Sequence, residues 1–583
     1  MRRTSLITLM AAALTLSVAA AVPAQAADPQ GHREGPPTVT GDDVQFTPQR
    51  TLSSGSPEEA GLVAKHVDQI VSDLTAYLGT TPENPTFPMY GGAVVLAAKD
   101  GVIVEHAAVG HALRYASADG TELPPDEWIP MQEDTIFDLA SVSKLFCTVV
   151  VLQLVEQDLI DLDAPVARYI PEFAQNGKEE VTVKQLLTHT SGLRAWRPLY
   201  SLYPTPQERI AAIYADDLAN PPGTRYVYSD LGLITLGKLA ERVTGKPLDQ
   251  LVAERITDPL GMTDTMYNPP ESLRHRIAAT EDMPWTSRGI VWGEVHDENA
   301  WSLGGVAGHA GLFSTAADLA VFSQMLLNGG RYGKERILSE ETVRQAITNQ
   351  NVGIPPTIAS RRGLGFELHQ PFYMASLDSP VTFGHTGFTG TSIVIDPLSR
   401  SLAILLTNRV HPNRNWGSNN PSRQAVTRNL GLAIPVRPAV GETAWFSNQP
   451  HSTTHTLTAP LARPAEDDAQ LAFRLWYDTE EGWDTGRLEA STDGGASWAL
   501  VPVDWRSATT AGLPMAPSPA SRGVSGSAWM QNCQPARHTC AGATPANAAP
   551  PLAGGACTWT VCLRRTPMAC CSMVSGRQTL GAS

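Results

Sequence analysis

Cysteine is nearly absent from most of this 583-residue chain: Cys147 stands alone until Cys533. The other six, Cys533, Cys540, Cys557, Cys562, Cys570 and Cys571, crowd the end, so no disulfide framework can staple the first 532 residues. Basic charge is also scarce. Lys+Arg number 43 against 58 Asp+Glu, a formal charge of −15, and a nucleic-acid binder with its basic face is excluded. The usual catalytic signatures are missing too: no G-x-S-x-G elbow, no H-E-x-x-H, no P-loop and no G-x-G-x-x-G. No stretch after the N-terminus reaches the ~18–20 apolar residues of a membrane-spanning helix. What is present is a mostly globular composition, 42% hydrophobic and 17% charged, long enough for two to four domains at ~100–200 residues each.

The N-terminus reads as an export signal. Arg2 and Arg3 precede an apolar run from Ile7 to Val22, and Ala24-Gln25-Ala26 fits a small-x-small cleavage site. Residues 1–26 are therefore expected to be cleaved, leaving a secreted protein, extracellular or periplasmic. Residues 27–50 are polar and proline-containing, a flexible lead. Ser56-Pro57-Glu58-Glu59 reads as a helix start, with Leu62, Val63, His66, Val67, Ile70, Val71 and Leu74 following at helical spacing. Gly91–Ala98 and Val102–Val109 predict a hairpin turning at Lys99-Asp100-Gly101. Ser141 to about Leu159 predicts a helix buried nearly all round. Strands return at Thr391–Asp396 and Ser401–Thr407. Strands at both ends with helices between predict an α+β domain over residues 51–435, an antiparallel sheet flanked by helices and joining distant parts of the chain.

Beyond Pro435-Val436-Arg437-Pro438 the signals are short strands and turns: Gln470–Tyr477, Gly486–Ser491 and Trp498–Val503. Residues 440–504 predict a partial all-β sandwich. After Asp504 there is no Asp, Glu, Lys, Ile, Phe or Tyr. We read residues 505–583 as an anomalous, frameshifted tail: shifting the frame allows Gly-Val-Tyr-Val-Asp-Gly near Cys557 and Gly-Val-Leu-Phe-Asp-Gly near Cys570.

Three short motifs carry candidate chemistry. Ser141-Val142-Ser143-Lys144 opens the buried helix, and residues three apart share a helix face. A serine hydroxyl needs a base, and a lysine serves if burial lowers its pKa enough to leave it neutral. Tyr228-Ser229-Asp230 follows Pro221-Pro222-Gly223 and leads into a helix. Tyr228 can relay a proton, while Asp230 also suits a helix N-cap. His385-Thr386-Gly387 enters a strand, where Gly387 permits close approach and the Phe388 amide can join that of Ser141 around an oxyanion. His189 and His309 lie in glycine-containing loops and are expected to make structural hydrogen bonds. His296-Asp297-Glu298 could imitate a metal cluster, but adjacent residues rarely aim at one ion, so no metal is assigned. Cys147, among apolar neighbours, reads as a buried, inert thiol.

In this order the motifs resemble the serine β-lactamase/penicillin-binding-protein superfamily, and in particular its class C β-lactamase-like branch with D-Ala-D-Ala carboxypeptidases and esterases. Leu186-Leu187-Thr188-His189-Thr190-Ser191-Gly192-Leu193 and Gly308-His309-Ala310-Gly311-Leu312-Phe313-Ser314-Thr315 agree. The resemblance covers residues 51–430. It implies a β-lactamase/transpeptidase-like fold and a serine hydrolase without cofactor, with Ser141 acylated and Lys144 and Tyr228 as its general-base partners. Asp230, His385, Thr386, Gly387 and Phe388 would bind substrate: a D-amino-acid peptide (a cell-wall peptide among them), a small ester or, weakly, a β-lactam. Two positions depart from the family pattern. Asp230 stands where relatives carry Asn, and His385 stands where many carry Lys. Both turn the reading away from a dedicated β-lactamase. Ser491-Thr492-Asp493-Gly494-Gly495-Ala496-Ser497-Trp498 resembles an Asp-box hairpin of jelly-roll modules, which implies either glycan contact or a module that steadies the catalytic domain. The competing class is a catalytically degenerate wall- or glycan-binding protein.

Overall fold

The structure is a computed structural model describing residues 39–47, 50–436, 438, 440–447, 453–465, 471–475, 485–501, 524–526 and 558–564. The export signal, most of the frameshift reading and the tail cysteines other than Cys562 lie outside the described residues.

The first hairpin forms as its pattern requires: β1 (Gly92–Lys99) and β2 (Val102–Leu113) pair antiparallel around Asp100-Gly101. The late strands β3 (Phe383–Thr386), β4 (Ser392–Asp396) and β5 (Ser401–Thr407) join it, with β5 lying directly against β1. The sheet runs Ser53–Ser54, β2, β1, β5, β4, β3, Glu367–Leu368, with Ile129–Pro130 also on β2. The sequence expectation of an antiparallel sheet is corrected at one edge. Ser53–Ser54 lies parallel to β2 at the edge, because the chain reaches it from outside the hairpin.

The central strands read as continuous apolar runs because both faces are covered. One face, through Val94, Leu96, Ile393, Ile395, Ile404 and Leu406, joins a core with helices α2 (Ser143–Glu156) and α4 (Ala316–Leu327). The other, through Ala93, Val95, Val394, Ala403 and Leu405, packs on α1 (Ala64–Ala76) and α5 (Asn420–Ala433). A strand side chain flips face at each residue, so two buried faces leave few polar positions, mostly at the strand ends.

Two boundaries differ from the sequence expectation. Ser56 and Glu59 do cap one another, Ser56 N donating to Glu59 Oε2 at 2.8 Å, but they close only a single turn. Gly61 at φ +70° ends that turn, and α1 starts at Ala64. Ser141 likewise precedes α2 proper, in a 3₁₀ turn over Ala140–Val142. From Ser143 to Leu154 every residue of α2 is buried. Cys147 sits there fully covered, and burial pushes its thiol up to about 12, so it is inert as expected.

Opposite α2 lies α3 (Asp230–Thr244), and the Gly308 loop wedges against both. A Cβ at Gly308 would stand 2.1 Å from the Leu233 carbonyl oxygen and 3.0 Å from Cys147 Sγ. Beyond residue 440 the described strands form one antiparallel sheet (Thr454–Pro460, Thr558–Arg564, Thr485–Ser491, Ala499–Leu500) and a pair (Phe473–Leu475 with Val524–Gly526). Among the described residues no helix is long and apolar enough to cross a membrane.

Because a backbone carbonyl cannot retreat, Gly308→Ala should cost about 2 kcal/mol or more and lower the thermal midpoint by several degrees. Thermal unfolding monitored by circular dichroism checks this; an unchanged midpoint would contradict the packing.

Candidate active site

The start of α2, the start of α3 and the end of β3 converge on one site. Ser141 leads into it on a strained turn, Ala140 having φ +46°. Asp138 holds that turn: its Oδ1 accepts from the Ala140 amide at 2.8 Å and its Oδ2 from the His296 amide at 2.6 Å. Strain of about 1–3 kcal/mol persists only where the surroundings enforce it. Asp138 was missed in the sequence, where nothing distinguishes it from any loop acid.

Lys144 projects from the first turn of α2 and is 1% exposed. Its Nζ donates to Ser141 Oγ at 2.9 Å and to the His309 carbonyl at 3.0 Å, and lies 2.8 Å from Asp230 Oδ1. The ammonium thus donates to the nucleophile and a backbone oxygen and is ion-paired with a carboxylate. Burial alone would lower its pKa, but the Asp230 carboxylate, with Tyr228 behind it, outweighs that penalty and holds the group above its ordinary 10.5. The sequence expectation of a lysine neutralised by burial is therefore corrected: an acid at the third position of the Tyr-Ser-Asp motif keeps it charged.

Asp230 is free to do this because it is not the helix cap expected from sequence. Ser229 is the N-cap of α3, its Oγ accepting from the Gly232 amide at 3.2 Å and donating to the Arg194 carbonyl at 2.7 Å. Asp230, one residue further, turns its carboxylate to Lys144 instead.

Tyr228 stands against both Ser141 and Lys144, with Lys144 Nζ 4.9 Å from its ring centre. Burial raises its pKa, partly offset by Lys144, so the phenol is neutral at physiological pH. Its ring is held from behind. The His189 ring lies 4.6 Å away and the Arg362 guanidinium 5.4 Å away. His189 Nδ1 accepts from the Ser229 amide at 3.0 Å, the structural role expected for it, and Arg362 pairs with Glu367 at 2.9 Å. Neither Arg362 nor Glu367 carries any sequence signal.

His385 is 1% exposed, beneath the cleft surface rather than on it. Its Nδ1 bonds to the Thr386 carbonyl at 2.7 Å, so a proton on Nδ1 leaves Nε2 a bare acceptor, and Nε2 meets no partner among the described residues. Burial lowers its pKa to about 4, with Arg362 and Lys144 adding to that and Glu367 opposing it, so the imidazole is neutral. Gly387 is required by contact: a Cβ would lie 2.4 Å from the Leu139 carbonyl. Thr386 is partly exposed at the strand end, and the Phe388 amide donates to no protein group among the described residues.

The triplet His296-Asp297-Glu298 diverges. His296 pairs with Glu281 at 2.8 Å, Asp297 with His309 at 2.9 Å, and Glu298 with Arg414 at 3.0 Å. Among the described residues no group of three or more His, Cys, Asp or Glu is arranged to hold a metal ion.

A family model described as Beta-lactamase matches residues 87–428, which contain all of this site. The chain belongs to the β-lactamase family. This member is 34% identical over 397 residues to an Escherichia coli K12 protein named "Putative D-alanyl-D-alanine carboxypeptidase", covering 62% of this chain and 86% of that one. A Salmonella agona protein of the same name matches at 34% over the same shares. Solved structures similar to it include a penicillin-binding-protein homologue from Caulobacter crescentus (21% identity, TM-score 0.47, covering 64% of this chain and 99% of that one). Another is EstCE1, a hydrolase with promiscuous acyltransferase activity (21%, TM-score 0.48, 63% and 99%). This β-lactamase-family chain is a serine hydrolase.

The Lys144–Asp230 pair sets a pH signature. A lysine must lose its proton before it can accept one, so the acid limb of the rate profile follows its pKa. Asp230→Asn removes the carboxylate that favours the ammonium and leaves the burial that opposes it. The limb should move to lower pH by about one unit or more. A pH profile of kcat/KM for p-nitrophenyl acetate checks this, and a limb that stays in place contradicts the pairing.

Proposed function

We propose that this protein is an exported hydrolase that forms an acyl-enzyme on Ser141, acting on D-amino-acid peptides, small esters or, weakly, β-lactams. The observation that carries this reading is the 2.9 Å bond between the buried Lys144 Nζ and the partly exposed Ser141 Oγ. The deprotonated minority form of Lys144 takes the Ser141 proton as Oγ attacks the substrate carbonyl carbon. The carbonyl electron pair moves onto oxygen, where the amides of Ser141 and Phe388 stabilise it. Collapse expels the leaving group, which receives the proton through the Tyr228 hydroxyl. Water, deprotonated by the same pair, then releases the acid and restores Ser141.

His385 and Asp230 shape what is accepted. A neutral, buried His385 supplies no cation for a substrate carboxylate at the strand end. Asp230 offers an acceptor where an amide would also donate, so β-lactams and peptides lose a contact that esters do not need. This supports ester turnover above peptide or β-lactam turnover. The names of the E. coli and Salmonella relatives support the peptidase side of that range.

Export rests on the Arg2-Arg3, apolar-run and Ala-Gln-Ala pattern. The C-terminal reading is a partial jelly-roll-like module making glycan contact. Its support is the hairpin around Asp493, whose Oδ1 accepts from Ser491 Oγ at 2.7 Å and from the Ser497 amide at 2.8 Å, with Trp498 Nε1 donating to the Gly495 carbonyl at 3.1 Å. The fold alone names no particular glycan.

Ser141→Ala should abolish both p-nitrophenyl ester hydrolysis and covalent labelling by a fluorescent penicillin. A wild-type protein inert toward esters, nitrocefin and D-Ala-D-Ala peptides alike would remove the reading.

A further inference from the structure

Immediately after β3 the chain turns Phe388 outward, leaving it 48% exposed. The segment is not loose. Thr389 Oγ1 donates to the Asp138 carbonyl at 2.7 Å and Thr391 Oγ1 to the Leu139 carbonyl at 3.0 Å, which fastens it to the turn that carries Ser141. Two guanidinium groups flank the exposed ring, Arg409 Cζ at 5.0 Å and Arg414 Cζ at 5.4 Å from its centre. The His296 ring stacks on it at 5.7 Å.

The two arginines differ in how their charge is met. Arg414 Nε bonds to Glu281 Oε2 at 2.6 Å and its Nη2 to Glu298 Oε1 at 3.0 Å, so two carboxylates enclose it. Arg409 has no carboxylate partner among the described residues. Among the described residues its side chain makes one hydrogen bond, from Nη1 to the Arg414 carbonyl at 3.2 Å. A half-buried cation beside a second cation, paired with no carboxylate among the described residues, in a protein with 15 more acids than bases, is an electrostatic anomaly. Burial depresses the Arg409 pKa, with the Arg414 charge adding to it and Glu281 opposing it.

We propose that Phe388 and Arg409 form a binding subsite beside the nucleophile for a planar carboxylate, its flat apolar body on the Phe388 ring and its carboxylate on the Arg409 guanidinium. A guanidinium takes a carboxylate through parallel N–H groups, and the ring edge and face supply a surface that any flat acyl or aryl group can cover. The subsite discriminates anionic from neutral ligands, which the neutral His385 cannot do. That it selects substrate rests on Ser141 being the nucleophile; that it binds a planar carboxylate does not.

The test separates the two. Benzoate and benzamide, equal in shape and different in charge, are titrated by ligand-observed NMR into full-length Ser141→Ala protein, where no turnover intervenes. Benzoate should bind about tenfold more tightly than benzamide. Arg409→Gln in that background should shrink the preference to under about threefold, while Arg409→Lys retains part of it. Phe388→Ala, a surface change that leaves folding intact, should weaken both ligands together and keep their ratio. Equal binding of benzoate and benzamide, or a preference that survives Arg409→Gln, overturns the proposal. Loss of ester hydrolysis in Ser141→Ala is read separately in solution and reports on the hydrolase reading alone.

Discussion

A single buried cation organises this site. Taking an ammonium out of water costs several kcal/mol even after the protein relaxes, unless donors and charge are met in place. Lys144 meets that demand with Ser141, the His309 carbonyl and the Asp230 carboxylate. Each partner comes from a different part of the chain: the turn before α2, the Gly308 loop and the first residue of α3. The cation therefore fixes the relation of these pieces as much as it prepares the nucleophile. The surrounding features follow. Ser229 must be the helix cap so that Asp230 can turn inward. Gly308 must lack a Cβ so that its loop can bring the His309 carbonyl down. Asp138 must hold Ala140 in a strained conformation so that Ser141 points at the amine.

Much of this was legible in the sequence, and the reasons are physical. Central strands buried on both faces leave unbroken apolar runs, and a helix covered on all sides leaves no polar stripe. The hairpin, α2 and the late strands could therefore be placed to within a few residues. Ser141, Lys144 and Tyr228 announce themselves through residue type and spacing, and the fold brings them together. The protonation state of Lys144 was not legible. It depends on whether Asp230 caps its helix or faces the amine, a choice made by one residue of register at Ser229. The Arg362–Glu367 pair and Asp138 were invisible for a similar reason: a buried ion pair looks, in sequence, like any two surface charges. Ser56–Glu59 misled because a good local cap does not oblige the chain to continue as a helix.

Charge is distributed in the cleft with some economy. Lys144 and Asp230 cancel, Arg362 and Glu367 cancel behind Tyr228, and His385 is neutral. The floor beneath the reacting carbon is thus close to electrically neutral, and a cation that pairs with no carboxylate among the described residues lies to the side, at Arg409. A nucleophile set in a neutral floor suits substrates whose reacting group carries no charge. Discrimination then falls to the wall formed by Phe388 and its flanking arginines.

The central claim is that Asp230 holds Lys144 as an ammonium ion in the resting enzyme. Its most direct measurement is an NMR titration of the Lys144 side-chain nitrogen in ¹⁵N-lysine-labelled protein, assigned with Lys144→Arg. The account predicts an ammonium signal that persists above the ordinary lysine pKa of 10.5, for as long as the fold survives. A Lys144 nitrogen that titrates below neutrality would contradict it.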